Sequence, residues 1–199
     1  MSMQVRPVIL EGQRVRLEPL QLSHAAALYS VCQDPEIWRY MSYKQPTSLS
    51  EMEAWIALAL DAQERGTDVP FAIIDRNAGH ALGSTRYLNI MSKDRGLEIG
   101  WTWLTGTTRR TYVNTECKYL LLRHAFETLG AIRVQLKTDS RNVTSQRAIE
   151  RIGAVKEGVL RNHVIMPDGY YRHSVYYSIV ESEWPTVKAY LEGKLSILG

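Results

Sequence analysis

The chain has little of what would make it something other than an ordinary folded domain. Cysteine is nearly absent: Cys32 and Cys117 lie far apart among 199 residues and belong to no Cys-x-x-Cys or Cys/His cluster. That excludes a disulfide mini-protein, and both thiols read as reduced core residues of a cytoplasmic protein ahead of a disulfide or a metal site. With 7 prolines and 13 glycines, the composition is not that of a disordered or low-complexity chain. Charge of one sign is also missing. Twenty-four Lys+Arg against 21 Asp+Glu leave +3, too small a surplus for a protein that coats a polyanion, and no aromatic-basic repeat suggests nucleic-acid binding. No long apolar run is present, so no membrane span is expected, and residues 1–7 lack the apolar centre of a secretion signal. What is left is long enough to bury a core without staples, and one domain over residues 1–199 is the simplest reading.

What is there is periodicity. Residues 8–20 alternate through Val15 and Leu17 as a half-buried strand does, and Ser23 is placed to cap a short helix through Val31. Asp34-Pro35-Glu36 signals a second short helix carrying Ile37, Trp38 and Met41. Ser48 with Glu51 suggests a capping box before the stripe Met52, Trp55, Ile56, Ala59, Leu60. The period then falls from 3.6 to 2, predicting antiparallel strands over residues 71–75, 82–91 and 97–103. A long helix follows over 113–129 with Gly130 at its end, then a strand at 132–136 and a helix from Asn142 to Gly153. A strand pair near 154–161 and 170–180 turns through Met166-Pro-Asp-Gly169, and a last helix begins at Trp184 and buries Val187, Leu191 and Leu195. The order is α+β.

The region from Leu97 to Arg161 carries the most chemistry. A strand runs into the basic loop Thr107-Thr-Arg-Arg-Thr-Tyr-Val-Asn114 and then into the long helix. Free N–H groups at a helix start, with the positive end of its dipole, suit a pyrophosphate, and Arg109 and Arg110 would add charge; a solvated basic loop would read the same way. Alternation groups Glu98 with Gly100 and Thr102, opposite Leu97, Ile99 and Trp101. A carboxylate there suits a general base, and it equally suits a salt-bridged strand glutamate.

Taken together, Leu97-Glu-Ile-Gly-Trp101, the basic loop, Glu116-x-Lys-Tyr-Leu-Leu-Leu122, His124-Ala-Phe126, Thr138-Asp-x-Arg-Asn-x-x-Ser145 and Glu157-Gly-Val-Leu-Arg161 closely resemble the GNAT superfamily of N-acetyltransferases, in the branch of RimJ/RimL-like ribosomal-protein N-terminal acetyltransferases. Beyond residues 97–161 the resemblance extends more weakly over nearly the whole chain. It implies a central, mostly antiparallel, V-shaped sheet of about seven strands flanked by helices. It also implies transfer of the acetyl group of acetyl-CoA to a primary amine, at a peptide N-terminus or on a small molecule, by direct attack on the thioester. The partners so implied are a CoA thioester and an amine acceptor, with no nucleic acid, membrane or metal, and a homodimer as a further option.

Carried onto this sequence, the resemblance makes Glu98 the base and a backbone bulge near Ile99–Trp101 the group that polarises the carbonyl. The cofactor would be held by Ile99, Trp101, Trp103, Arg109, Arg110, Tyr112, Val113, Asn114, Asn142 and Ser145. Where many members place a tyrosine acid this chain has Ile149, so Ser145 becomes the partner of the departing thiolate. Asn142 and Ser145 would also serve simply as N-cap and first turn. Tyr112 and Asn114 stand where the family has small residues, and with Ile149 they support the alternative of a non-catalytic CoA-binding or protein-interaction module. Trp38, Tyr40, Met41, Tyr43, Trp101 and the run Tyr170-Tyr-Arg-His173 are candidates for an acceptor pocket, although aromatic residues more often pack the core. An α-amine, with a reference pKa of about 7.7–8.0 against about 10.4 for lysine, needs less help to become nucleophilic, which favours a peptide N-terminus.

Overall fold

The computed structural model describes residues 2–108 and 111–197; Arg109 and Arg110, both expected at the cofactor, lie outside the described residues. The expected first strand is divided into β1 (Leu10–Glu11) and β2 (Val15–Pro19). The chain turns at Gly12, whose N–H donates to the Val15 carbonyl, and Glu116 accepts the N–H groups of Gln13 and Arg14 at the turn. A Cβ at Gly12 would stand 2.9 Å from the Val15 carbonyl oxygen, a backbone atom, and would also meet the Glu116 carboxylate, so the turn favours glycine for space. Next comes α1 (Ala25–Val31), entered through a 3-10 turn that begins after Gln21 and not at Ser23, because the His24 ring accepts the Gln21 N–H. Asp34 does accept the Glu36 N–H, yet only a single 3-10 turn, Pro35–Ile37, follows.

Helix α2 (Leu49–Glu64) starts at Ser48, whose hydroxyl accepts the Glu51 N–H. The Glu51 carboxylate returns to Thr47 and not to Ser48, which shifts the expected box by one residue. Strands β3 (Val69–Asp75), β4 (Ala81–Met91) and β5 (Gly96–Leu104) form an antiparallel meander. After α3 (Val113–Arg123) the expected long helix changes to a π turn over His124–Thr128. There the buried Tyr87 hydroxyl donates to the Leu121 carbonyl and Leu129 N–H reaches back five residues to His124. Then come β6 (Arg133–Asp139), α4 (Val143–Arg151), β7 (Val155–Ile165), β8 (Tyr171–Val180) and α5 (Trp184–Ile197), along which Leu195 stays half-exposed.

The eight strands make one open sheet in the order β1-β2-β3-β4-β5-β6-β8-β7, antiparallel except for β5/β6. Its alternating residues feed two cores. On one face Leu17, Phe71, Tyr87, Ile99 and Val134 meet α3, α4 and α5; on the other, Ala72, Ile74 and Trp103 meet α1 and α2. The parallel seam is short: Gly96, Leu97 and Glu98 pair with Arg133, Val134 and Gln135, after which both strands continue unpaired to one another. That divergence opens the sheet in its middle.

Candidate active site

The opening holds a cleft of about 340 Å³ walled by residues 98–104 of β5, residues 136–138 of β6, the first two turns of α3, one face of α4, and Tyr40 to Ser42. Its shape is set by a bulge. Ser84 pairs with Trp103 and Arg86 with Gly100, so Trp101 and Thr102 together oppose Thr85, and Trp101 takes φ +50. A bulge leaves one residue outside the ladder and reverses which face the next side chains occupy. The expected grouping of Trp101 with Leu97 and Ile99 is therefore corrected: Leu97 and Ile99 enter the α3-side core, whereas Trp101 and Trp103 go to the α1/α2 side. Arg86 lies 4.7 Å from the Trp101 ring centroid, and Trp103 meets Trp38 at a tilt and Trp55 edge-on.

Glu98 is 1 % exposed and borders the cleft at the narrow end of the opening. Its Oε2 accepts from Asn89 Nδ2 (2.9 Å), Gln135 Nε2 (2.8 Å) and Lys137 Nζ (3.3 Å). Oε1 is 3.2 Å from Lys137 Nζ and 3.2 Å from where a Cβ on Gly100 would sit, so this oxygen lies alongside the bulge. A carboxylate oxygen has more than one acceptor site, so Oε1 can still take a proton or a hydrogen bond from a molecule in the cleft.

The α3 and α4 side contains Asn114, Lys118, Asn142, Ser145 and Ile149. Tyr112 and Val113 do not line the cleft. Val113 is in the core, and the Tyr112 ring turns toward the β1–β2 turn, where Arg14 stacks on it at 4.5 Å. Tyr112 has φ −66, an ordinary helical value, so no glycine is needed at that position and its ring points away from the opening. Asn142 Oδ1 caps α4 by accepting the Ser145 N–H at 3.0 Å. Lys118 went unnoticed in the sequence. Only 6 % exposed, it donates from Nζ to Thr102 Oγ1 at 2.6 Å, has no carboxylate of the described residues within ion-pair distance, and is pushed by burial from 10.5 down to about 8. The preceding residue, Cys117, is raised to about 12 by burial and is a core residue.

On the other face Tyr40 borders the cleft, while Trp38 is buried with its indole N–H on the Cys32 carbonyl at 2.9 Å. Trp38 is thus a wall of the aromatic core behind the cleft. Tyr43 packs half-buried against that core, and Tyr170 lies under Arg141, whose guanidinium is 3.5 Å from the ring centroid. Lys137, which the sequence did not single out, and Arg172, from the run expected to wall the acceptor side, both line this side. Among the described residues no group of three or more His, Cys, Asp or Glu side chains is placed to hold a metal, and no helix is long and apolar enough to cross a membrane.

Residues 14–155 match the family model described as an acetyltransferase (GNAT) domain. The structure superposes on a GCN5-related N-acetyltransferase from Brucella melitensis with a TM-score of 0.91 and 27% identity, covering 97% of this chain and 88% of that one. An uncharacterized N-acetyltransferase, YoaA, of Bacillus subtilis is 26% identical over 87% of this chain and 97% of its own length. RimJ of Mycobacterium smegmatis, solved with CoA-disulfide, shares the fold at a TM-score of 0.81 and 20% identity, covering 94% of this chain and 95% of that one.

Proposed function

This chain belongs to the GNAT family of acetyltransferases, and from that premise we propose that it acetylates the primary amine of a peptide N-terminus or a small molecule, with acetyl-CoA as donor and direct attack of the amine on the thioester. The residues of the cleft fit a pantetheine arm: an elongated opening between unpaired strands, a strand bulge, and the partly satisfied cation Lys118 on the same side as a helix start. Acetyl-CoA brings an already activated thioester, so the protein has only to orient an amine and manage protons.

Glu98 Oε1 accepts the proton of the incoming amine, and backbone N–H groups at the Gly100–Thr102 bulge polarise the carbonyl. Ile99, Trp101 and Trp103 border the arm of the donor. Its pyrophosphate is held by Arg109, Arg110 and the backbone at Tyr112, Val113 and Asn114, where the α3 dipole favours an anion. Asn142 fixes the start of α4 and so presents Ser145 to the thiolate, while the Lys118 ammonium balances the charge that develops there. Tyr40, with Trp38, Tyr43 and Tyr170 around it, shapes the acceptor side. The observation that carries this reading is the position of Glu98 Oε1 beside the bulge at Gly100.

Acetyl-CoA is expected to raise the melting temperature, and an amine panel is expected to release free CoA thiol. Glu98→Gln keeps the size of the side chain and is expected to lower kcat by about 10²–10⁴-fold while the thermal shift with acetyl-CoA remains. Absence of any thermal shift would refute the donor. A thermal shift with silence on every amine would instead favour a non-catalytic CoA-binding module.

A further inference from the structure

We infer that the acceptor amine carries a carboxylate and that Arg172 binds it; this rests on the acetyl-transfer reading above and specifies its substrate. Arg172 comes from β8 and is 7 % exposed, yet it lines the cleft beside Tyr40 and Met41. Its guanidinium has five N–H groups to satisfy. One reaches the Tyr40 carbonyl at 3.5 Å, the outer limit of a hydrogen bond, and Nε is buried without any acceptor.

The acids around Arg172 are already engaged. Asp139 is held by Arg141 through two bonds, Nε to Oδ1 at 3.1 Å and Nη2 to Oδ2 at 2.7 Å, and also accepts the Arg141 N–H. Glu98 is held by Asn89, Gln135 and Lys137. Glu36, on the exposed rim, pairs with Arg39 at 3.4 Å. The other polar neighbours close on themselves: Tyr176 meets His163 Nε2 at 3.2 Å, and His163 Nδ1 meets Ser174 at 3.0 Å. Among the described residues of this side, the positive charge of Arg172 is left without an ion pair.

A buried guanidinium in that state is costly unless a planar anion arrives, and a carboxylate matches its fork with two parallel hydrogen bonds. Arg172 and Glu98 line the same cleft, so an acceptor lying in it can present its amine to Glu98 and its carboxylate to Arg172. Burial lowers the Arg172 pKa, and Asp139 and Glu98 oppose that fall only in part, which agrees with a cation short of partners. The carboxylate can be the α-carboxylate of a free amino acid or the side chain of an acidic second residue in a peptide.

The experiment measures CoA thiol release with matched pairs: alanine against alaninamide, and alanyl-aspartate amide against alanyl-asparagine amide. In the wild-type protein the acid of at least one pair is expected to exceed its neutral partner in kcat/KM by about 10–100-fold, and which pair responds tells the two sources apart. That ratio should fall to near one in Arg172→Met and be partly kept in Arg172→Lys. Without any donor present, N-acetylalanine should raise the melting temperature of the wild type more than N-acetylalaninamide does, and should lose that advantage in Arg172→Met. Equal rates within both pairs, or a ratio unchanged by the substitution, would overturn the inference. If Arg172→Met does not fold, Arg172→Lys and the wild-type ratios decide. If no amine releases thiol, the transfer reading falls, and the N-acetylalanine comparison judges Arg172 alone.

Discussion

At the scale of single residues, Lys118 shows how a side chain can weaken the fold at the proposed site. Its amine lies inside the protein with one neutral hydrogen-bond partner, Thr102, and burial holds its pKa at about 8 against an ordinary 10.5. Between those two values the unfolded chain binds a proton that the folded protein does not, so stability rises with pH across that window. Below pH 8 the folded state carries the charged amine at the full penalty, roughly 3 kcal/mol from the size of the shift. Lys118→Met keeps the length of the side chain and removes the charge. It is expected to raise stability at pH 7, by up to about 3 kcal/mol less the lost bond to Thr102, with the gain shrinking toward pH 10. Chemical denaturation at pH 7 and pH 10 checks this; an identical pH dependence in both proteins would contradict it. Because the same amine faces the proposed thiolate, the more stable variant should also turn over more slowly.

At the scale of elements, the β5 bulge is the device on which the cleft depends, and it requires β4 to come close. An added Cβ at Gly83, where φ is +155, would stand 2.0 Å from the Trp103 carbonyl oxygen, a backbone atom that cannot swing aside. Gly83→Ala is therefore expected to cost more than about 3 kcal/mol in urea denaturation, whereas Gly158→Ala, with nothing within 4 Å of its Cβ, should lie within about 0.5 kcal/mol of the parent. Regular strands and capped helices were readable because alternation and caps are local: Val69–Asp75, Ala81–Met91 and the Ser48 cap all lie close to expectation. What was not readable depends on partners distant in sequence. Trp101 changes face because of how β5 pairs with Thr85, and the π turn at His124 accompanies a hydroxyl from Tyr87, 34 residues before the carbonyl that it bonds. The site divides in the same way. Glu98 stood out by its place in a strand motif and Arg172 by its aromatic run, but Lys118 and Lys137 look like ordinary surface charges until the sheet and helices enclose them. Conversely, Val113 was selected by its place in the loop motif, and packing takes its side chain into the core.

At the scale of the whole molecule, the opening that makes the cleft also divides the sheet. Strands β1 to β5 and strands β6 to β8 are joined in the sheet by three paired positions, Gly96 with Arg133, Leu97 with Val134 and Glu98 with Gln135. At the last of these, side chains extend the seam past the point where the backbones part: Glu98 accepts from Asn89 on one half and from Gln135 and Lys137 on the other. Glu98 is thus a tie between the halves as well as the proposed base, and two substitutions separate these roles. Glu98→Gln keeps an acceptor for Gln135 and should leave the halves joined while slowing transfer. Glu98→Ala leaves Lys137 and both amides facing a gap, with an expected loss of about 2–4 kcal/mol. That loss should show in hydrogen exchange as faster opening of β5 and β6 along the seam, with the β3–β4 ladder less affected, because seam opening need not disturb its own pairing. Acetyl-CoA bound between the strands should restore part of the protection in Glu98→Ala, since the donor would contact both halves where the backbones do not. Uniform loss of protection across all eight strands would mean that the sheet opens as one unit and that the seam has no separate stability.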